Sequence, residues 1–442
     1  MTAVTRQEFS DGRASGAAEL PRLLPPAGKG NQAQDLMTHL ARHGRLPYRD
    51  RSGVLIDDIT QAGLTGRGGA AFPVHRKLAA VLEAAGKRRK TPTVIANGAE
   101  SEPASDKDAT LLWLAPHLVL DGLQLAAEAV GARTAILCLH ADRGLDVGGR
   151  LRQALRERHA AGADRVPVQL ELAPPRFLAG QETALVSHLA GGPAIPAFVP
   201  PRITERGLAG APTLVQNVET LAHLALIARH GPAWFRAAGT RREPGSMLVT
   251  VRRADGRPKV TEVPIGTPLS DLLGDRDQRS AVLLGGYHGT WLPAAKAAGL
   301  TLDNHSLEQA GARVGAGIVI SLPADRCGLV ETASAVRYLA LESAGQCGPC
   351  LNGLPRISAA LTELASGRPR PGARADLERW AGLVTGRGAC RHPDGTARLV
   401  RSALVTFAAE ADGHERGHCS ATNSRPFLPV PTGSARTEED WT

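Results

Sequence analysis

Cys347, Cys350 and Cys390 are the residues whose type and spacing point most directly to chemistry. They stand in ESAGQCGPC and GRGACRHPDG. A Cys-x-x-Cys pair with a distant third thiol, in a region of helical periodicity, reads as ligation of an iron–sulfur cluster or of zinc. A thioredoxin-like redox pair is disfavoured, because no βαβ pattern surrounds it. Cys327 and Cys419 fall in the same last quarter, whereas Cys138 sits alone in the apolar run TAILCLH and reads as a small core residue.

Four further segments carry polar chemistry. In GLTGRGGAAFPVHRKL, residues 63–78, Gly66, Gly68 and Gly69 flank Arg67. Such a loop can turn tightly and aim N–H groups at one point, as a phosphate nest does, with Arg67 and Lys77 as countercharge. The alternative is an ordinary glycine-rich turn; the spacing is neither a Walker loop nor G-x-G-x-x-G. VIANGAESEPASDKD, residues 94–108, leaves a strand and presents Asn97, Glu100, Glu102, Asp106, Lys107 and Asp108. That is either a ligand loop at a strand end or a solvated acidic loop. RFLAGQETALVSHLAGG places Gly180 before a helix whose first turn holds Gln181 and Glu182, and Asn217 opens the helix of GAPTLVQNVETLAHL. Both segments suit a ligand beside a helix N-terminus, and both suit plain capping.

The elements that position these loops follow from periodicity. TPTVIAN, TAILCLH and VPVQLEL read as strands alternating with helices such as PHLVLDGLQLAAEAVGA, where Val119, Leu123, Ala126 and Val130 share a face. This argues for a parallel sheet in an α/β domain over 51–240, with ligands gathered at the carboxyl ends of the strands. From 245 to 325 the pattern becomes a small mixed unit, with strands SMLVTVRR and KVTEVPIG joined at Asp255-Gly256. From 327 to 420 only amphipathic helices follow, as in a bundle. Residues 1–50 read as a flexible arm and 421–442, with three prolines in PFLPVP, as a disordered tail.

Composition sets the outer limits. The 442 residues hold 52 basic and 43 acidic side chains, a net charge of +9. The 45 Arg against 7 Lys match a GC-rich coding bias, and the basic residues are dispersed without stacking aromatics, so nucleic-acid binding is not expected. Six cysteines are too few for a secreted disulfide framework. No run reaches the roughly 20 apolar residues of a membrane span, and no apolar signal core opens the chain. The expectation is a soluble cytoplasmic protein.

Taken in order, the five motifs resemble the flavoprotein subunit of respiratory complex I and the diaphorase subunits of soluble hydrogenases and formate dehydrogenases, over roughly residues 50–420. The resemblance implies a Rossmann-like FMN domain, a ubiquitin-like β-grasp domain of the soluble-ligand-binding (SLBB) type, and a helical bundle holding a 4Fe–4S cluster. It implies hydride transfer from NADH to FMN and single electrons onward to the cluster, with a ferredoxin or another oxidoreductase subunit as redox partner. It carries Gly66, Arg67, Gly68 and Lys77 to the flavin-phosphate loop, and Asn97, Glu100, Gly180 and Asn217 to cofactor contacts. Glu102 and Glu182 take the catalytic positions, and Cys347, Cys350 and Cys390 those of three cluster ligands.

The chain also departs from the family pattern. Ala344 replaces the first cluster cysteine, Ala99 an acidic residue after Asn97, and Gln181 the first glutamate of Gly-Glu-Glu-Thr. Of the adenine-enclosing aromatics Phe72 remains, with Ala80 and Arg202 at the other positions. Weaker use of NADH follows, and a fourth cluster ligand must come from Cys419, a water, a histidine or a small thiol unless the cluster has three irons. Cys327 is disfavoured because a continuous helix would hold it roughly 25 Å from Ala344. Two rival readings are a non-catalytic binding or assembly subunit and a zinc-stabilised scaffold.

Overall fold

The computed structural model describes residues 20–26, 33–50, 53–140, 146–198, 200–254, 257–274, 279–431 and 441. The Asp255-Gly256 turn lies outside them. Two sheets organise the chain. The first has the strands β1 (Thr93–Gly98), β2 (Thr134–His140), β3 (Val168–Ala173) and β4 (Thr213–Asn217), all parallel in the order β3-β2-β1-β4. This is the half-Rossmann order, and the chain crosses over between strands through helices as parallel pairing requires. β1 is nearly continuous in its burial, as expected of a strand covered on both faces.

The helices Pro116–Val130 and Val218–Arg236 pack closely against each other beneath the sheet. Gly122 allows the approach: a Cβ there would lie 1.9 Å from the Leu221 carbonyl oxygen. The first of these helices is buried almost all round, so the apolar face expected from Val119, Leu123, Ala126 and Val130 is only part of its contact surface. No single helix among the described residues is long and apolar enough to cross a membrane.

The second sheet comprises β5 (Ser246–Arg252), β6 (Lys259–Pro264), β7 (Arg279–Leu284), β8 (Thr290–Pro293) and β9 (Ile318–Pro323) in the order β6-β5-β9-β7-β8. β5 and β9 are parallel and the other pairs antiparallel. That order is the β-grasp arrangement of ubiquitin-like domains. The bundle follows as Gly328–Leu341, Leu354–Ala365, Ala373–Val384, His392–Thr406 and Ala408–Glu415, with a π turn at Pro349–Gly353. The periodicity of TARLVRSALVTFAAEA predicts one helix, which the structure breaks at Phe407.

Two expectations are corrected. The described part of the N-terminal arm is packed. Leu23 is fully buried, and the amides of Arg22 and Leu23 each donate to Glu262 at 2.8 Å. His39, on the helix Leu36–His43, meets the buried Asp121, which also holds Arg158 at 2.8 Å and Arg229. The segment after Cys419 likewise folds back as far as it is described, to residue 431; most of the rest of the expected tail lies outside the described residues. The Phe427 and Leu428 amides donate to Glu331 at 2.9 Å, and Leu428 is buried. In both places a buried carboxylate requires backbone donors, and these long-range partners leave no periodic mark in the sequence.

Candidate functional site

Adjacent parallel strands set the centre of the site. Register puts Asn97, near the end of β1, opposite Asn217, the last residue of β4. Asn217 caps the next helix: its Oδ1 accepts from the Glu219 and Thr220 amides, and its Nδ2 donates to Asp108 at 2.7 Å. Asn97 donates to the Gly180 carbonyl at 2.8 Å and accepts from the Ala99 amide. Both carboxamides therefore arrange loops. Gly180 is seated against the post-β1 loop, where a Cβ would stand 2.6 Å from the Ala99 oxygen. Gly68 lies over Asn217, where its Cβ would come within 3.3 Å of the Asn217 side chain. Four loops far apart in sequence thus meet at one sheet edge.

The glycine loop is pinned at its base by the Thr65–Pro73 bridge and by the Gly66 amide donating to Phe72 at 2.9 Å. Gly69 takes φ +105°, a region open to glycine. Gly68, Gly69 and Ala70 are exposed, and their amides have no acceptor among the described residues. Arg67 corrects the expectation of a phosphate countercharge. Its amide donates to Thr220, and its buried guanidinium donates to Thr65 Oγ1 at 2.8 Å and to the Thr65 and Pro244 carbonyls. Burial pushes its pKa down, opposed by Glu219 and Glu243. The Gly-Arg-Gly turn sends this side chain inward, which its sequence does not disclose. Lys77 stays at the site and donates to Glu182 at 2.6 Å and to the Val215 carbonyl at 2.9 Å.

The three glutamates separate into different roles. Glu182, in the first turn of Glu182–Leu189, has a side chain 42% exposed. Glu100 is buried, accepts from Ser105 and from the Asp108 and Ala109 amides, and so caps the helix Lys107–Leu114. Burial, with Asp108 beside it, pushes Glu100 up. Glu102, expected at a catalytic position, accepts the Tyr287 amide of the β-grasp unit at 2.9 Å, and a Cβ on Gly286 would lie 2.6 Å from it. Its carboxylate joins two units of the fold. Gln181 caps its helix through the Thr183 and Ala184 amides.

Sequence reasoning missed the network beneath the site. Lys107 donates to Asp108 at 2.7 Å and Glu219 at 2.8 Å, all three being buried. Burial opposes the charge of Lys107, but Asp108, Glu219 and Glu100 outweigh it and hold its pKa above the usual lysine range. Glu219 also accepts the Leu248 amide of β5 at 2.8 Å. KD in the acidic loop and the Glu two residues after Asn217 were the available signals.

The cysteines sort into two groups. Cys350 is buried, and Cys347 and Cys390 are half-buried. Burial pushes Cys350 up to about 12; Ser343 hydrogen-bonds its sulfur, and Cys347 and Cys390 lie beside it. Burial likewise raises Cys390. Their donor atoms are not drawn into a set within 4.8 Å; among the described residues only Cys327, His414 and Cys419 are. Cys419 is thereby corrected as a substitute for the ligand missing at Ala344. Between the converging loops and this bundle, Phe177 donates its amide to Glu342 at 2.8 Å. Its ring packs edge-on to His288 and Tyr338, with centroids 4.9 and 6.0 Å away.

Comparisons with known proteins agree with this architecture. Residues 59–226 match the Nuo51 FMN-binding domain, and residues 331–414 the NADH-ubiquinone oxidoreductase-F iron–sulfur binding region. The chain is 30% identical over 376 residues to the F 2 subunit of NADH-quinone oxidoreductase from Rhizobium meliloti, covering 81% of this chain and 88% of that protein. It is 30% identical over 387 residues to the corresponding F subunit of Streptomyces coelicolor, covering 82% and 83%. The crystal structure of an NAD+-reducing NiFe hydrogenase in the H2-reduced state superposes with a TM-score of 0.76 at 29% identity, over 88% of this chain and 67% of that one. With the half-Rossmann sheet, the β-grasp order and the cysteine-bearing bundle in one polypeptide, the chain belongs to the family of NADH-quinone oxidoreductase F subunits, which are flavin- and iron–sulfur-dependent oxidoreductases.

Proposed function

We propose that this chain takes electrons from a reduced nicotinamide dinucleotide through FMN, seated at the ends of β1 and β4, to an iron–sulfur cluster on Cys347, Cys350 and Cys390. The observation that carries the reading is the convergence of the 66–70, 97–101, 180–182 and 215–217 loops, with three adjacent amides of the glycine loop left without protein acceptors among the described residues. Such amides suit a phosphate, so the residues present fit the phosphate end of FMN, through backbone rather than through Arg67. Bound there, the flavin supplies hydride acceptance and single-electron release. Lys77 supplies a positive charge at the cleft, and Glu182 holds it in place. Asn97 and Asn217 fix the loops, while the Lys107 network keeps the floor rigid and dry.

The donor set of the bundle also fits its cluster. Three soft thiolates, spread more widely than a single metal ion needs, suit iron–sulfur ligation over mononuclear zinc. The fourth position has no cysteine, so a three-iron cluster, or one iron with a non-protein or hydroxyl ligand, completes it. The contact of Phe177 with Glu342 places the Gly180 loop next to the end of the helix that leads into Ser343–Cys350, the short route from flavin to cluster. A ferredoxin or a further oxidoreductase subunit receives the electrons. The test is the visible spectrum with flavin, iron and sulfide content of anaerobically purified protein. FMN with iron and sulfide is expected; colourless, iron-free protein after anaerobic reconstitution would leave a non-catalytic subunit.

A further inference from the structure

We propose that Cys327, His414 and Cys419 form a zinc site, separate from the cluster cysteines, that clasps the two ends of the helical bundle. Their donor atoms all lie within 4.8 Å of one another. Cys327 Sγ is 3.6 Å from His414 Nε2. Zinc bonded to sulfur at about 2.3 Å and to nitrogen at about 2.0–2.1 Å gives a tetrahedral sulfur–nitrogen edge of about 3.6 Å. The Cys327–His414 edge already has that length.

The imidazole is held for this task. His414 is buried, and its Nδ1 donates to the Leu364 carbonyl at 2.9 Å. That fixes the tautomer and turns the Nε2 lone pair toward Cys327, as outer partners do for metal-bound histidines. Cys327 is anchored too: it precedes Gly328–Leu341, and its sulfur faces Glu410 Oε2 at 3.1 Å, which also accepts the Gly328 amide. Cys419 is exposed and closes the site from the solvent side, leaving the fourth vertex to water or to Glu410. Two thiolates and an imidazole form a set that selects zinc over hard cations. Binding displaces one proton from each thiol into solvent and changes no oxidation state.

The placement suggests what the clasp does. Cys327 starts the bundle, His414 is in its last helix, and Cys419 leads into the segment that returns to Glu331 and Asp325. The ion would close a loop containing Cys347, Cys350 and Cys390, without touching them.

The test uses the full-length holoprotein grown with added zinc and then dialysed. Zinc, iron and flavin are measured per chain for wild type, Cys419→Ser and Cys347→Ser, with X-ray absorption at the zinc edge. About one zinc per chain with two sulfur neighbours is expected. Cys419→Ser, at an exposed position, should lose at least five-fold of the zinc while keeping iron and flavin, and Cys347→Ser should keep the zinc. Wild type without zinc, zinc retained in Cys419→Ser, zinc lost only in Cys347→Ser, or a Cys327–Cys419 disulfide in the peptide map would each overturn the site. Iron and flavin are read separately, so loss of either bears on electron transfer and not on the clasp.

Discussion

Lys77 donates its Nζ to Glu182 at 2.6 Å across a separation of more than a hundred residues. The ammonium is largely covered while the carboxylate is the more exposed partner, so the pair lies at the lip of the cleft. Arg67, on the glycine loop, instead turns its guanidinium into the protein, onto Thr65 and Pro244. The two cations therefore differ in setting: Lys77 remains at the cleft, free to face the proposed cofactor, while Arg67 is engaged by the protein.

Lys77→Met should lower FMN occupancy at least ten-fold while leaving the unfolding transition near that of wild type. Arg67→Ala should instead lower stability by about 3 kcal/mol, since hydrogen bonds to a buried charge are worth about 1.5–3 kcal/mol each and Thr65 and Pro244 lose their donor. Flavin fluorescence after gel filtration and thermal melts of both variants separate the effects. Equal loss of flavin with unchanged melting in both would restore Arg67 as a phosphate ligand.

Gly122→Ala should destabilise the protein by about 1–3 kcal/mol or prevent folding, because the new methyl meets the Leu221 backbone of the neighbouring helix. Gly86→Ala, in the helix Val74–Arg88 with open space around it, should stabilise by about 0.5–1 kcal/mol. Urea unfolding of the pair tests whether helix contact, and not glycine content, sets the sign.

Mild acid should weaken the fold near the N-terminal helix. Burial, with His39 next to it, depresses His43 to about 3, and burial likewise depresses His117 to about 4. Both are neutral when folded, whereas in the unfolded chain they titrate at the usual histidine value, about 6.5. The unfolded state therefore binds more protons below that value, and stability present above about pH 6.5 is lost as pH falls toward 4. Urea midpoints at pH 7 and pH 5 should fall in wild type and fall less in His43→Gln/His117→Gln. An equal fall in both would place the acid sensitivity elsewhere.

Arg202→Phe combined with Ala80→Phe should lower the KM for NADH about ten-fold, given that one stacked base is worth about 1–3 kcal/mol. Steady-state NADH oxidation with an artificial acceptor reads it. Unchanged KM would mean that the adenine end lies away from Phe72.

Much of this arrangement is readable from the residues in order. Apolar strands alternating with helices identify the half-Rossmann sheet, and KVTEVPIG and SAVLLGGY mark the β-grasp strands. The loop at Asn97 follows from a strand end, and those at Gly180 and Asn217 from the starts of helices. What escapes such reading is direction and distant partnership. Arg67 and Lys77 look alike in sequence, yet one turns inward because the backbone between two glycines rotates it. Glu102 looks solvent-bound until Tyr287, 185 residues later, offers it an amide. The prolines after Cys419 suggest a loose end, but Glu331 draws Phe427 and Leu428 back. Each case depends on contacts between segments that no local period encodes.

The carboxylate of Glu219 bears on how this protein can be dissected. One oxygen accepts from Lys107 inside the flavin domain and the other accepts the Leu248 amide of the next sheet, with the whole group buried. A fragment ending near residue 240 would strip the Leu248 amide from that oxygen and open the buried Lys107–Glu219 pair to water. The flavin module and the β-grasp module are therefore not interchangeable cassettes. Swapping either with that of a relative requires carrying the Lys107–Glu219–Leu248 joint across intact, and a chimera cut through it would inherit a seam instead of a domain boundary.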